Sequence, residues 1–207
     1  MMESQAPFIA VSRHRIQTDG EGVTTLCGFY GCPLRCKYCI NPQSFRENAK
    51  TIIHTPESLY NAVKLDDIYF LATNGGVTFG GGEPLLYVGF IKEFRELCGD
   101  RWHLCAETSL NVSSDAVETA ASVIDHFYVD IKDMNPDIYQ SYTGKSNDNV
   151  IENLKLLLSL TSQGRITVRI PLIKDFNTES DREKSVSQLK EMGFTDFDLF
   201  KYMIKRK

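Results

Sequence analysis

Gly31-Cys32-Pro33-Leu34-Arg35-Cys36-Lys37-Tyr38-Cys39-Ile40-Asn41-Pro42 carries three cysteines in one short loop, spaced C-x3-C-x2-C. The run before it, Gly22-Val23-Thr24-Thr25-Leu26-Cys27-Gly28-Phe29, is rich in β-branched residues and reads as a strand leading straight into the loop. Thiolates packed this closely are a metal-binding device, and their number sets the chemistry. A cubane 4Fe–4S cluster has one ligand per iron, normally all cysteine. Three thiolates leave one iron open, so a substrate or cofactor can bind to it directly. The alternative reading of the same loop is a structural zinc site, with Cys27 as the fourth thiolate.

Outward from this loop, strands alternate with helices. Thr55 is a plausible N-cap with Pro56 at the first helical position, and Leu59, Tyr60 and Val63 give the helix its apolar face. Asn74-Gly75-Gly76 is a turn, and Val77-Thr78-Phe79 a short strand ending in three glycines. Phe90, Ile91, Phe94 and Leu97 recur at helical spacing over 86–97, and the Phe90/Phe94 stripe reads as core. Further strands are expected over 102–107, 127–131, 166–170 and 197–200, with helices over 114–123, 149–160 and 180–192. Six strands separated by helices of this length imply right-handed βαβ units on a parallel sheet. The expected fold class is α/β, a partial (β/α)6 TIM-like barrel with parallel strands, as one domain over 1–207. In such barrels the chemistry sits at the C-terminal ends of the strands.

Composition narrows the function. The 207 residues suffice for a core without staples. With 42% hydrophobic and 24% charged residues, the chain is ordinary for a soluble globular protein. Its formal charge of −4 and the absence of a long basic block argue against nucleic acid as the main partner. The one basic cluster, Lys205-Arg206-Lys207, reads as a solvated end. No stretch approaches the roughly 20 apolar residues that span a bilayer. Met1-Met2-Glu3-Ser4-Gln5 lacks the form of a secretory signal. Three of the six cysteines sit in the tight run and no secreted context is visible, so a reducing cytoplasm is expected, and an oxygen-sensitive cluster would favour an anaerobic one. Cys27, Cys98 and Cys105 read as small buried hydrophobes. His14, His54, His103 and His126 show no metal spacing.

Polar groups gather where the strands end. Gly80-Gly81-Gly82-Glu83-Pro84 follows the second strand, where glycines leave backbone bare for close approach. Glu107-Thr108-Ser109 ends the third, Asp130 and Lys132 the fourth, and Arg169 lies on the fifth. A strand-end charge pair such as Asp130 and Lys132 is also compatible, less strongly, with an ordinary solvated salt bridge.

Together, the cysteine triplet, Gly81-Gly82-Glu83-Pro84 and Asp130-Ile131-Lys132-Asp133-Met134-Asn135 resemble the radical S-adenosylmethionine (SAM) superfamily. With Asp19-Gly20-Glu21-Gly22-Val23-Thr24-Thr25, they resemble more narrowly the glycyl-radical-enzyme activases of the pyruvate formate-lyase activating type. The resemblance runs over about 15–202. It implies that Cys32, Cys36 and Cys39 hold a 4Fe–4S cluster whose open iron is chelated by SAM. Tyr38 would flank the adenine, and Gly81, Gly82 and Glu83 would meet the methionyl amino group. Glu107, Thr108 and Asp130 match a region for a monovalent cation near SAM. Lys132 would contact the SAM carboxylate or ribose. Apart from the resemblance, Arg169 reads evenly as a ligand contact or a structural partner. The implied reaction takes an electron from a flavodoxin- or ferredoxin-like donor and cleaves SAM to methionine and a 5′-deoxyadenosyl radical. That radical then removes hydrogen from a glycine of a partner glycyl radical enzyme.

The chain departs from that pattern in places. Gly80 stands where the family usually has serine, and Leu110 where glycine is expected. Lys201-Tyr202-Met203-Ile204 replaces a Pro-Tyr-His run, and the sequence ends soon after, leaving a more open pocket, one completed by a partner, or a different substrate. Between Cys39 and Val77 there is no cysteine, so a single cluster is expected. Two rivals stay open. One is a small-molecule radical SAM enzyme resembling carboxy-deazaguanine synthase; the other is a non-catalytic iron–sulfur or zinc protein.

Overall fold

A computed structural model describes residues 4–202. The Lys205-Arg206-Lys207 cluster, Met203-Ile204 and Met1-Met2-Glu3 lie outside the described residues. β1 (Ala6–Ile16) pairs antiparallel with β2 (Val23–Phe29) and with β3 (Ile52–His54). Five more strands follow β2 in parallel: β4 (Gly76–Gly81), β5 (His103–Thr108), β6 (His126–Asp130), β7 (Ile166–Leu172) and β8 (Phe197–Lys201). The order β3-β1-β2-β4-β5-β6-β7-β8 leaves an open, mostly parallel sheet, the partial-barrel architecture that the alternating pattern implies.

Period-2 alternation decides what each strand buries. Val77, Phe79, Leu104, Ala106, Phe127, Val129 and Val168 are buried with the helices, while Thr78, Glu107, Tyr128, Asp130 and Arg169 occupy the alternate positions. The helices are α1 (Pro56–Val63), α2 (Asp67–Thr73), α3 (Val88–Cys98), α4 (Ser114–Val123), α5 (Pro136–Thr143), α6 (Asp148–Leu160) and α7 (Glu179–Met192). Thr55 caps α1 as expected: its side chain accepts from Ser58 N at 3.1 Å, and Ser58 Oγ accepts from Thr55 N at 2.9 Å. Phe90 and Phe94 of α3 are core, Phe90 edge-on to Phe29 at 5.7 Å and Phe94 to Phe79 at 5.5 Å. Each such buried ring stabilises the fold by about 1.5–3 kcal/mol. Cys27, Cys98 and Cys105 are buried free thiols.

Four elements go beyond the sequence reading. β1 hides its pattern because its pairing with β2 shifts register twice, between Phe8 and Ala10 and between Ser12 and Arg15. β3 has only three residues and is defined by its partner. α2 shows exposed Ile68, Tyr69 and Leu71, so no clean apolar face marks it. α5, between Asn135 and Gly144, matters most for the site.

Candidate active site

The cysteine loop leaves β2 at the C-terminal end of the parallel strands, and main-chain bonds from three directions hold it. Gly31 N donates to Ser44 O at 2.7 Å, and Gly31 O accepts from Glu83 N at 2.8 Å. Arg35 N and Lys37 N donate to Thr143 O and Tyr142 O, at 2.9 and 3.1 Å. These are carbonyls of the last turn of α5, which have no partner inside their own helix. Asn135 starts α5 by accepting from Asp137 N and Ile138 N, and Gly144 ends it at φ +79. The Arg35 guanidinium donates to Cys32 O at 2.6 Å and lies over the Phe45 ring.

The glycine run packs against this loop. A Cβ on Gly82 would stand 2.0 Å from Gly31 O, and one on Gly81, at φ +87, would stand 2.6 Å from Gly28 Cα. Both glycines are thus demanded by the protein's own backbone, and their main chain borders the cysteines. A Cβ on Gly80 would lie 2.9 Å from Glu107 Oε2, so the serine usual in the family would crowd that carboxylate.

Glu83 is buried, and its carboxylate is fully engaged. Oε1 accepts from Leu85 N (3.2 Å) and Thr108 Oγ1 (2.7 Å); Oε2 accepts from Ser109 N (2.8 Å) and Ser109 Oγ (2.6 Å). Burial pushes the carboxyl above its ordinary value, and these four donors oppose the shift. The Glu83 side chain therefore ties the end of β4 to the end of β5, and what it leaves for a ligand here is main chain. Leu110, just beyond, adopts φ +57. This left-handed turn explains why glycine is the expected residue there; a fully buried leucine takes it instead.

Glu107, Asp130, Lys132 and Arg169 meet in one network. β6 and β7 set Asp130 opposite Arg169 in register. Arg169 Nε donates to Asp130 Oδ1 and Nη1 to Glu107 Oε1, each at 2.8 Å, while Lys132 Nζ lies 3.3 Å from Asp130 Oδ2. Burial works against the Asp130 carboxylate, but Lys132 and Arg169 outweigh it and hold it at about 2. Glu107 is pushed up by burial, with Arg169 pulling back. The guanidinium thus stands between the two acids that the resemblance assigns to a cation, and Thr108 points its hydroxyl to Glu83.

Tyr38 sits edge-on to Phe176 at 5.6 Å and to Tyr142 at 6.2 Å, its hydroxyl 3.3 Å from Asp175 Oδ2. Cys32, Cys36 and Cys39 are free thiols, partly exposed on one loop. Burial pushes Cys32 up to about 12 and raises Cys36 and Cys39, on both of which Lys132 acts in the opposite sense. Among the described residues, no three His, Cys, Asp or Glu side chains close around a single ion. A cubane is larger than an ion and its ligands stand farther apart. Three soft, unpaired thiols bordered by glycine main chain fit a cluster with one open iron, and Cys27, buried within β2, is remote from the role of a fourth ligand.

Sequence reasoning placed Ser109 at the third strand end but gave it no role, although it supplies two of the four bonds to Glu83, and it missed the α5 carbonyls under the loop. The Asn135-Pro136 start and Gly144 stop were signals for α5. No local signal marks Ser109.

Comparison with known proteins bears on the family and the fold. The family model described as the radical SAM superfamily matches residues 27–189. The 4-hydroxyphenylacetate decarboxylase activating enzyme of Clostridioides difficile (strain 630) is 29% identical over 232 residues, covering 83% of this chain and 72% of that one. The pyruvate formate-lyase-activating enzyme of Staphylococcus epidermidis is 32% identical over 165 residues, covering 76% and 66%. Among solved structures, Streptococcus suis SuiB bound to S-adenosylmethionine superposes with TM-score 0.62 at 20% identity, over 86% of this chain and 41% of that one. Native anSMEcpe with bound AdoMet gives 0.64 at 18%, over 84% and 49%. The chain thus spans less than half the length of either structure; the likeness is one of fold.

Proposed function

The chain belongs to the radical SAM superfamily, and we propose that within it this protein is an activase that installs a glycyl radical on a partner enzyme. One observation carries the reading: three unpaired thiols on one anchored loop, beside glycine main chain, at the C-terminal ends of parallel strands. The activating enzymes among its relatives support the choice of branch.

Cys32, Cys36 and Cys39 would hold the cluster, and the partly exposed main chain of Gly81 and Gly82 would receive the methionyl end of SAM. When bound, cluster and SAM together supply a one-electron reductive cleavage to methionine and a 5′-deoxyadenosyl radical. The chain's own residues bind and orient. Tyr38 offers a ring face to the adenine. Lys132 presents a cation toward the SAM carboxylate or ribose while Asp130 holds it in place. Arg169 braces Asp130 against Glu107. Glu83 keeps the β4 and β5 ends in register with the cysteine loop. A monovalent cation near Glu107, Thr108 and Asp130 would have to displace the bridging guanidinium; the Na+ or K+ dependence of SAM affinity tests for it.

The reading includes one domain over 1–207, a cytoplasmic and anaerobic setting, and a flavodoxin- or ferredoxin-like donor. No helix among the described residues is long and apolar enough to cross a membrane.

Anaerobic reconstitution should give about four irons and four sulfides per chain by the ligand count, and 5′-deoxyadenosine release with SAM and a reductant. Cys36→Ala should abolish both, and Lys132→Ala should weaken SAM binding while the cluster survives. A doublet glycyl signal by EPR on a candidate partner would establish the activase. Deoxyadenosine production without radical transfer to any glycyl radical enzyme would favour the small-molecule reading instead.

A further inference from the structure

Two tyrosine hydroxyls on α5, of Tyr139 and Tyr142, are buried with no hydrogen-bond partner among the described residues. Their side chains are 1% and 0% exposed. A buried hydroxyl left unpaired costs about 1–3 kcal/mol, and phenylalanine would fill the same space without that cost. Such a group calls for an acceptor beyond the described residues.

The surroundings of the two differ. Tyr142 is acted on first by Tyr202 and then by Cys36. The ionisable groups acting on Tyr139 are Cys36, Glu83 and Cys32. Glu83 already accepts from four donors and has no lone pair to spare. That leaves the sulfurs of Cys36 and Cys32. The helix carrying Tyr139 is also pinned to the loop carrying Cys36, through Tyr142 O and Thr143 O, so hydroxyl and sulfur keep a fixed relation.

We propose that the Tyr139 hydroxyl donates a hydrogen bond to a sulfur on the Cys32–Cys36 side of the bound cluster and so tunes its reduction potential. A neutral thiol is a weak acceptor, whereas a metal-bound thiolate or sulfide carries negative charge and accepts well. Reduction adds one electron and makes those sulfurs more negative, so the bond strengthens in the reduced state. The hydroxyl favours reduction and keeps its proton; no group is transferred. The inference rests on the reading that this loop holds a 4Fe–4S cluster.

The test compares Tyr139→Phe with wild type, both reconstituted anaerobically and without SAM. Iron and sulfide content should be equal, and the metal-free variant should melt no lower than wild type, since it loses an unpaired hydroxyl. In an EPR-monitored redox titration the variant's midpoint should move to more negative potential. A tenfold fall in the reduced-to-oxidised ratio corresponds to about 59 mV for one electron. Pulsed EPR of the reduced wild-type cluster should show a proton coupling that exchanges in D2O and is missing in the variant. Equal midpoints with an unchanged exchangeable coupling, at full cluster content, would overturn the inference. A wild-type chain that takes up no cluster would bring down the functional reading first, and this inference with it.

Discussion

Replacing Glu83 by glutamine changes one oxygen into an amide nitrogen at a site with four donors. If the nitrogen took the Oε2 position, it would face Ser109 N, an amide that cannot turn away. It must therefore take the Oε1 position. There Thr108 can rotate its hydroxyl to accept, although it already receives Leu110 N at 2.9 Å, and Leu85 N loses its 3.2 Å bond. The two bonds from Ser109 persist but lose their charge assistance, about 1 kcal/mol each, and one buried N–H left unpaired costs about 1–3 kcal/mol. Together these come to about 3–5 kcal/mol, so the loss should be at least about 3 kcal/mol. With a urea m-value near the upper end of about 1–3 kcal/mol/M for a chain of this size, the midpoint should fall by roughly 1 M. Urea unfolding of the metal-free protein at pH 7, followed by circular dichroism, measures it. If the midpoint moves by less than a tenth of that, the carboxyl is already protonated, glutamine is its isostere, and the picture of an anion clamped by four donors is wrong.

Leu110→Gly should relieve about 1 kcal/mol of left-handed strain but lose a buried side chain worth about 3–5 kcal/mol, for a net destabilisation of about 3 kcal/mol in the same assay; a variant as stable as wild type would contradict this. Asp130, held at about 2, contributes stability that is present above the ordinary carboxylate value and lost as pH falls from about 4 to 2. Wild type should therefore lose on the order of 2 kcal/mol more than Asp130→Asn across that interval, and parallel acid-denaturation profiles would remove Asp130 from the account. Gly82→Ala would put a methyl 2.0 Å from Gly31 O, so the cysteine loop must shift and iron uptake should drop; full iron content would show that the loop tolerates the shift.

The parallel part of the fold was legible because its strands are apolar runs with turn residues at their ends. The helix boundaries at Ser114, Leu160 and Met192 fall within a residue or two of the pattern. Legible too was the gathering of Glu107, Asp130, Lys132 and Arg169 at one end, since each follows or ends a strand. Their pairing was not, because it depends on the register that sets Asp130 opposite Arg169. β3 could not be seen from three residues whose strand character comes from β1. The glycines were read as room for a ligand, yet Gly81 and Gly82 are first a requirement of backbone packed on backbone. That distinction needs the third dimension. The role of Glu83 likewise depends on Thr108 and Ser109, some 25 residues away.

The carbonyls beneath the cysteine loop belong to Tyr142 and Thr143, roughly a hundred residues further along the chain. On the ribosome, at about 5–20 residues per second, the three thiols emerge about 5–20 s before the segment that will cradle them. Nascent chains therefore pass through an interval in which the sulfur donors exist but have no shape. Chains released before residue 143 should carry all three cysteines and still fail to retain iron. If the loop holds the proposed cluster, metal uptake should therefore be a late event, set by the arrival of a helix rather than by synthesis of the ligands.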